Sequence, residues 1–265
     1  QEDDYPFPVV RFASRASSKL KGYRTGNPFD RKALRAVLDF QPDILHAHCP
    51  VASYVMALRA RRITGAPLIL TYHTKYDLDI RAAQKGKLIQ DALIHLLIHY
   101  VDKADEIWAV SHGAGENMLQ NGSRRQYIVM ENGVDMPKGP VPKAQTEALR
   151  SRFGLQPDNT VLLYIGRLRW YKGIRLILDA LALARSRGFS FKMVFAGDGS
   201  DRAEIEHAAQ TLGLAEFCVF IGPVTDRCTL KSLCSAADLF VFPSTFDTNG
   251  IVVREAASCA LRCRW

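Results

Sequence analysis

The sequence lacks any run of 18 apolar residues, so no membrane-spanning helix is expected. Its first residues, QEDDYPFP, show no basic-then-apolar signal pattern, and a cytoplasmic location is the expectation. Six cysteines (Cys49, Cys218, Cys228, Cys234, Cys259, Cys263) are scattered with no C-x-x-C pair, which excludes a zinc or disulfide framework and predicts reduced thiols. No short-period repeat occurs. Low complexity is confined to MPKGPVPKAQ, whose three prolines and one glycine break every local period. Disorder is excluded in turn, because 48% of the residues are hydrophobic and can build a core.

What the chain does carry is positive charge, +8 in all, unevenly spread. Positions 1–150 hold 21 Lys and Arg against 16 Asp and Glu, and positions 151–265 hold 14 against 11. Between Arg11 and Arg35 stand eight basic residues and one acid, Asp30, which would suit an anionic membrane surface or an acidic ligand; a solvated face is the more common explanation of such a run. No nucleic-acid partner is expected.

Apolar strand-like runs alternate with helical spacing along the whole chain. Strands are expected at 42–48, 67–73, 106–111 and 127–135. Helices are expected from Asp30, a candidate N-cap, over 51–62, over 81–103 and from His112; residues 1–27 show no clear period. A linker over 136–146 separates a first domain, 1–135, from a second, 147–265, where strands at 161–167, 191–197, 218–222 and 239–244 alternate with helices at 173–187, 201–212 and 227–237. Strict alternation predicts an α/β protein of two Rossmann-like parallel-sheet domains, each sheet covered on both faces. In such folds ligands bind at the carboxyl ends of the strands, here in a cleft between the domains.

Four strand ends of the second half carry the chemistry. GRLRWYKG places Arg167 just after a strand and Lys172 at the next helix start, where two cations and free N–H groups could surround a diphosphate. AGDGS (Gly197, Asp198, Gly199) is a glycine-rich turn fit for close backbone approach, and IGPV ends a third strand with Val224. In LFVFPSTFDTNGIVVRE a strand runs into a turn. Thr248, Asn249, Gly250 and Ile251 start a helix, with Asp247 ahead of it and Glu255 inside it, able to accept hydrogen bonds from hydroxyls. Taken singly, each is also what surface cations, an ordinary turn or a solvated carboxylate would look like. The histidines are treated alike: His46 and His48 share a strand face, His112 follows a turn, His207 reads as surface, and His95 with His99 has helical metal spacing but no third ligand.

GRL…KG, AGDG, FIGPV and ADLFVFPS followed by an acid, seven residues and Glu together resemble the retaining glycosyltransferases of family four, whose fold is the two-Rossmann GT-B type. PDILHAH, TYHT, VSH and ENGVD extend the resemblance over most of the chain, and TYHTKYD is similar to members that glycosylate diacylglycerol or other lipids. The resemblance implies a nucleotide-diphosphate sugar (UDP- or GDP-sugar) as donor, a hydroxyl acceptor such as a lipid or glycan, transfer with retention, and no metal or other cofactor. It implies that Arg167 and Lys172 neutralise the diphosphate, that Glu255 holds the ribose, that Asp247 contacts the transferred sugar and that His73 lies near sugar and acceptor. It also gives the nucleotide-sugar contacts to Gly197, Asp198, Gly199, Val224, Thr248, Asn249, Gly250 and Ile251. Asp247 stands where the family usually has Glu, one methylene longer.

Both ends depart from that family. No apolar strand with a glycine-rich loop opens the chain, and EAASCALRCRW lacks the usual Gly and Pro before a further strand, so a fragment incomplete at both termini is expected. Two alternatives accompany the reading: a truncated, non-enzymatic chain with weak nucleotide binding, and a sugar-nucleotide epimerase on the same fold.

Overall fold

Short β-branched and aromatic runs flanked by turn residues form the central strands, which are buried almost throughout, as in Thr160–Ile165 and Phe191–Ala196. A computed structural model describes residues 5–16, 24–156 and 158–264 and divides the chain into two units, 1–131 and 132–265.

In the first unit an antiparallel pair, β1 (Ser14–Ala16) and β2 (Arg24–Gly26), precedes α1 (Arg31–Asp39). Asp30 caps α1 as expected, its Oδ1 accepting from the Lys32 and Ala33 amides at 2.9 and 3.1 Å. Then follow β3 (Leu45–Ala47), α2 (Ala52–Thr64), β4 (Leu68–Tyr72), α3 (Tyr76–Ala83), α4 (Lys87–Val101), β5 (Glu106–Ala109), α5 (His112–Gln120) and β6 (Ile128–Val129). The four strands β3 to β6 lie parallel in sequence order around Leu68, Leu70, Tyr72 and Ile107, all essentially inaccessible to solvent.

The second unit holds α6 (Lys143–Arg152), β7 (Thr160–Ile165), a 3-10 turn (Trp170–Lys172), α7 (Ile174–Ser186), β8 (Phe191–Ala196), α8 (Arg202–Thr211), β9 (Cys218–Gly222), α9 (Arg227–Ala236), β10 (Leu239–Val241), α10 (Ile251–Ser258) and β11 (Arg262–Arg264). Its sheet is parallel throughout, in the order β11-β10-β7-β8-β9. Stacked aromatics fill one layer, Phe195 on Phe220 with centroids 4.7 Å apart and Tyr164 on Phe242 at 5.7 Å.

Four expectations are revised. Residues 1–27 include the β1–β2 pair, whose three-residue strands are too short to show a period. The helix expected over 81–103 is two helices, α3 and α4, parted at Gly86, whose φ of 96° no helix continues through. The stretch expected as linker packs on the second unit: Met136 is buried in its core, the Gly139 amide donates to the Ser258 carbonyl at 2.8 Å, and α6 begins at Lys143. The sheet expected to lack a strand after α10 gains β11, paired parallel to β10 from Leu239↔Arg262 to Val241↔Arg264. Residues 1–4, 17–23 and Trp265 lie outside the described residues, so part of the basic run from Arg11 to Arg35 does too.

Candidate functional site

Because β7, β8, β9 and β10 run parallel, their carboxyl ends share one edge of the second unit's sheet. Main-chain bonds tie three of those ends together. The Gly166 amide donates to the Ala196 carbonyl at 3.0 Å, Gly197 to Gly222 at 2.7 Å, and Leu168 to Asp198 at 3.0 Å. Gly197 has a φ of 149°, and a Cβ on it would overlap the Gly166 carbonyl oxygen, so only glycine allows this approach. The fourth end joins at Gly173, where a Cβ would meet the carbonyl oxygen of Pro243 just past β10.

On this frame the structure brings Lys172 and Asp247 together. The Lys172 Nζ donates to both Asp247 oxygens, at 2.6 and 2.7 Å, with side chains only 12% and 24% exposed. The 3-10 turn that carries Lys172 is held by Asp201: its Oδ2 accepts from the Trp170 amide at 3.0 Å, and Arg169 lies 3.3 Å away. The Ser200 hydroxyl first, then the Trp170 amide, hold the Asp201 carboxyl below its ordinary range. Trp170 also donates through Nε1 to Glu204 at 3.0 Å, so the turn is anchored from two sides of the start of α8.

Glu255 is buried in α10, yet it does not stand alone. Arg227, the first residue of α9, donates to its Oε1. Arg167 is exposed on the turn after β7, and its carbonyl accepts from the Tyr164 hydroxyl at 3.0 Å. Gly197, Asp198 and Gly199 form the turn after β8, while Val224 packs on the core beneath. Thr248, Asn249 and Gly250 lead into α10, with Gly250 at its N-cap and Ile251 exposed in its first turn.

Sequence reasoning missed several neighbours. Arg227 follows a recognisable cap, Asp226, whose oxygens accept from the Cys228 and Thr229 amides; that signal puts a cation at the start of α9 on the same edge. Tyr171 and Phe246, each one residue before a member of the Lys172–Asp247 pair, face one another with centroids 4.9 Å apart. Nothing in their spacing announces that contact across 75 positions. Ser244 lies buried two residues before Phe246, its hydroxyl without a hydrogen-bond partner among the described residues.

In the first unit, His73 follows β4 and His48 follows β3, and their rings meet: His48 Nδ1 lies 3.0 Å from His73 Nε2. His46 lies tilted against His48 with centroids 4.2 Å apart and reaches the Thr71 hydroxyl at 2.7 Å. Burial, then the neighbouring imidazoles, hold both His46 and His73 below the ordinary histidine range. α5 begins at His112 as expected, capped by Ser111, which accepts from the Ala114 amide at 3.2 Å. Among the described residues no three His, Cys, Asp or Glu side chains gather to hold a metal ion, those near His95 and His99 included.

Comparison with known proteins matches residues 1–137 to the family described as Glycosyltransferase Family 4 and residues 145–263 to Glycosyl transferases group 1. Among curated relatives, the alpha-monoglucosyldiacylglycerol synthase of Streptococcus pneumoniae is 27% identical over 94% of this chain and 57% of its own length. The alpha-D-kanosaminyltransferase of Streptomyces kanamyceticus is 28% identical over 85% of this chain and 59% of its own. The chain thus spans less than two thirds of these relatives. Among solved structures, Anabaena HepE in complex with UDP and glucose superposes with a TM-score of 0.72 at 22% identity, covering 88% of this chain and 60% of that one. Sucrose-phosphate synthase from Thermosynechococcus elongatus gives 0.69 at 21%, covering 88% and 59%. These likenesses establish the fold as GT-B.

Proposed function

Since the chain belongs to glycosyltransferase family 4, we propose that the protein of which it forms part moves a sugar from a nucleotide-diphosphate donor to a hydroxyl acceptor with retention of configuration, the second unit holding the donor and the first serving the acceptor. The Lys172–Asp247 pair carries the reading. A cation and a carboxylate are held within 2.7 Å on a sheet edge framed by glycine turns, which suits a ligand that offers a phosphate to one and hydroxyls to the other.

The chemistry divides among these groups without a protein nucleophile. The bond from the sugar's anomeric carbon to the phosphate oxygen breaks, a bond to the acceptor oxygen forms on the same face, and the acceptor proton passes to the departing phosphate oxygen. Charge grows on that phosphate as it leaves, and Lys172 and Arg167 are its counter-charges. Asp247 releases Lys172 to the phosphate and takes sugar hydroxyls instead. Glu255 exchanges Arg227 for the ribose hydroxyls, and the helix-start amides around Gly250 and Ile251 receive phosphate oxygens.

A lipid acceptor at an anionic surface is the finer reading. Among the described residues no helix is long and apolar enough to cross a membrane. On α4, however, Leu88, Ile89, Leu93 and Leu96 are exposed next to Lys85 and Lys87, which suits shallow insertion with basic anchoring. The relative from Streptococcus pneumoniae carries diacylglycerol in its name. Calorimetry with UDP and GDP on the chain and on Lys172→Ala tests the donor assignment, and equal affinity in the two proteins would overturn it. Sedimentation with phosphatidylglycerol vesicles tests the membrane reading. Binding should fall with salt and with Leu88→Ser/Leu96→Ser, and salt-independent binding would count against it.

A further inference from the structure

The first unit's histidines form a built arrangement whose parts the proposed reaction does not all use. The β3 and β4 strands run parallel with Ala47 opposite Leu70, so the chain leaves both at the same end, with His48 one residue beyond β3 and His73 one beyond β4. Their ring nitrogens stand 3.0 Å apart, a distance that requires one to donate and the other to accept. His46 backs the His48 ring at 4.2 Å, is itself tethered to Thr71, and meets the edge of Trp108 at 4.9 Å.

We propose that His48 is a positioning residue for His73: the one proton held between His48 Nδ1 and His73 Nε2 decides which ring nitrogen of His73 carries hydrogen. If His48 donates, His73 is the Nδ1–H tautomer; if His73 donates, its Nδ1 is the acceptor. Either arrangement is a single state, whereas an isolated imidazole would populate both. Charging both rings would set N–H against N–H and break the contact, so the pair accepts one proton at most while it is intact. Burial and His48 both already oppose protonation of His73. Ionisable groups next to these histidines in the chain are Cys49 after β3 and Lys75, Asp77 and Asp79 after β4. Asp77 accepts from Asn117 at 3.0 Å, and burial first, with Asp77 and Asp79 adding to it, raises the Tyr72 phenol.

The inference rests on the reading that His73 serves the transfer, and its test is chosen to fail separately. Ring-nitrogen NMR of the 265-residue chain is recorded against pH for the native protein, His48→Phe and His48→Asn. His48→Phe keeps a ring but removes the partner atom, while His48→Asn keeps a hydrogen-bonding atom where Nδ1 stood. We expect His48→Phe to move the His73 titration upward and mix its tautomers, and His48→Asn to preserve one tautomer. The acid limb of kcat/KM should move upward in His48→Phe and be restored in His48→Asn. A His73 titration and tautomer unchanged by His48→Phe would overturn the proposal even if the enzyme transfers sugar. Absence of transfer from every donor would sink the functional reading while leaving the NMR result to decide the pair.

Discussion

The two sheet edges are both formed by the carboxyl ends of parallel strands, in different strand orders, and are equipped oppositely. In the second unit the edge carries permanent charges in pairs: Lys172 with Asp247 beside glycine-framed turns, and Arg227 at the start of α9 with Glu255 in α10. In the first unit the corresponding strand ends carry imidazoles in contact, whose charge depends on pH. A parallel sheet only guarantees that side chains gather. What they do follows from residue type, since lysine and carboxylate bind polar ligands across the neutral range while histidine manages a proton. The contrast suits a reaction in which one partner brings a diphosphate and the other a hydroxyl.

The contrast can be broken most sharply at Lys172. Its Nζ is the more buried half of a close pair, and charge-assisted hydrogen bonds contribute roughly 1.5–3 kcal/mol, so Lys172→Ala should weaken UDP binding by about 10–100-fold in calorimetry. That loss should be flat between pH 6 and 8 if the edge works by fixed charge. A loss that varied with pH would erase the distinction between the two edges.

Gly197→Ala tests the frame rather than the charges. A Cβ there meets the Gly166 carbonyl in a left-handed conformation, and such strain costs about 1–3 kcal/mol. Urea unfolding followed by Trp170 fluorescence should show a lower midpoint in the second unit, with Trp108 in the first unmoved.

A smaller effect is expected at the second pair. Glu255→Gln should weaken UDP binding by about tenfold, on the strength of one charge-assisted hydrogen bond. Arg227→Ala should change it by less than about threefold, because that side chain is 55% exposed and solvent screens it. Equal losses in the two variants would make Arg227 a donor ligand in its own right.

The smallest effect should appear in the pH dependence of stability. His46 and His73 are held below the ordinary histidine value in the folded state, so the unfolded chain binds their protons first. Stability from this source is therefore present above about pH 6.5 and lost as pH falls through the folded values. Asp201 follows the carboxylate window instead: its folded value is depressed, and its contribution is lost only as pH falls below the ordinary aspartate range. Trp108 fluorescence in a Trp170→Phe background should report an acid-induced weakening of the first unit that His73→Phe flattens. An unchanged slope would show that the imidazoles do not differ from the carboxylates in this respect.

Much of this was legible in the sequence because parallel strands buried on both faces read as continuous apolar runs; TVLLYI, FKMVFA and LILTY announce themselves. Site residues at or near a strand end, such as Arg167 and His73, inherit that legibility. The break at Gly86 was harder, since Leu88, Leu93 and Leu96 beyond it keep helical spacing while facing solvent. Pairings across the fold were harder still. Nothing local says that Arg227 meets Glu255 or that Tyr171 meets Phe246, because each contact is set by strand order and not by spacing. The stretch 136–146 misled for a related reason: proline and glycine mark a break in period, whereas Met136 and Gly139 still find partners in the second unit's core and helices.

The main-chain ties among Gly166, Leu168 and Gly197 carry a further consequence for anyone seeking a ligand footprint by amide hydrogen exchange. Those three amides already donate to carbonyls of neighbouring strand-end turns, so deuterium should enter them slowly whether or not a nucleotide is bound. Protection gained on binding will have to be read elsewhere, at the first amides of α10, and the quietest peptides of the map will be the ones that hold the site together.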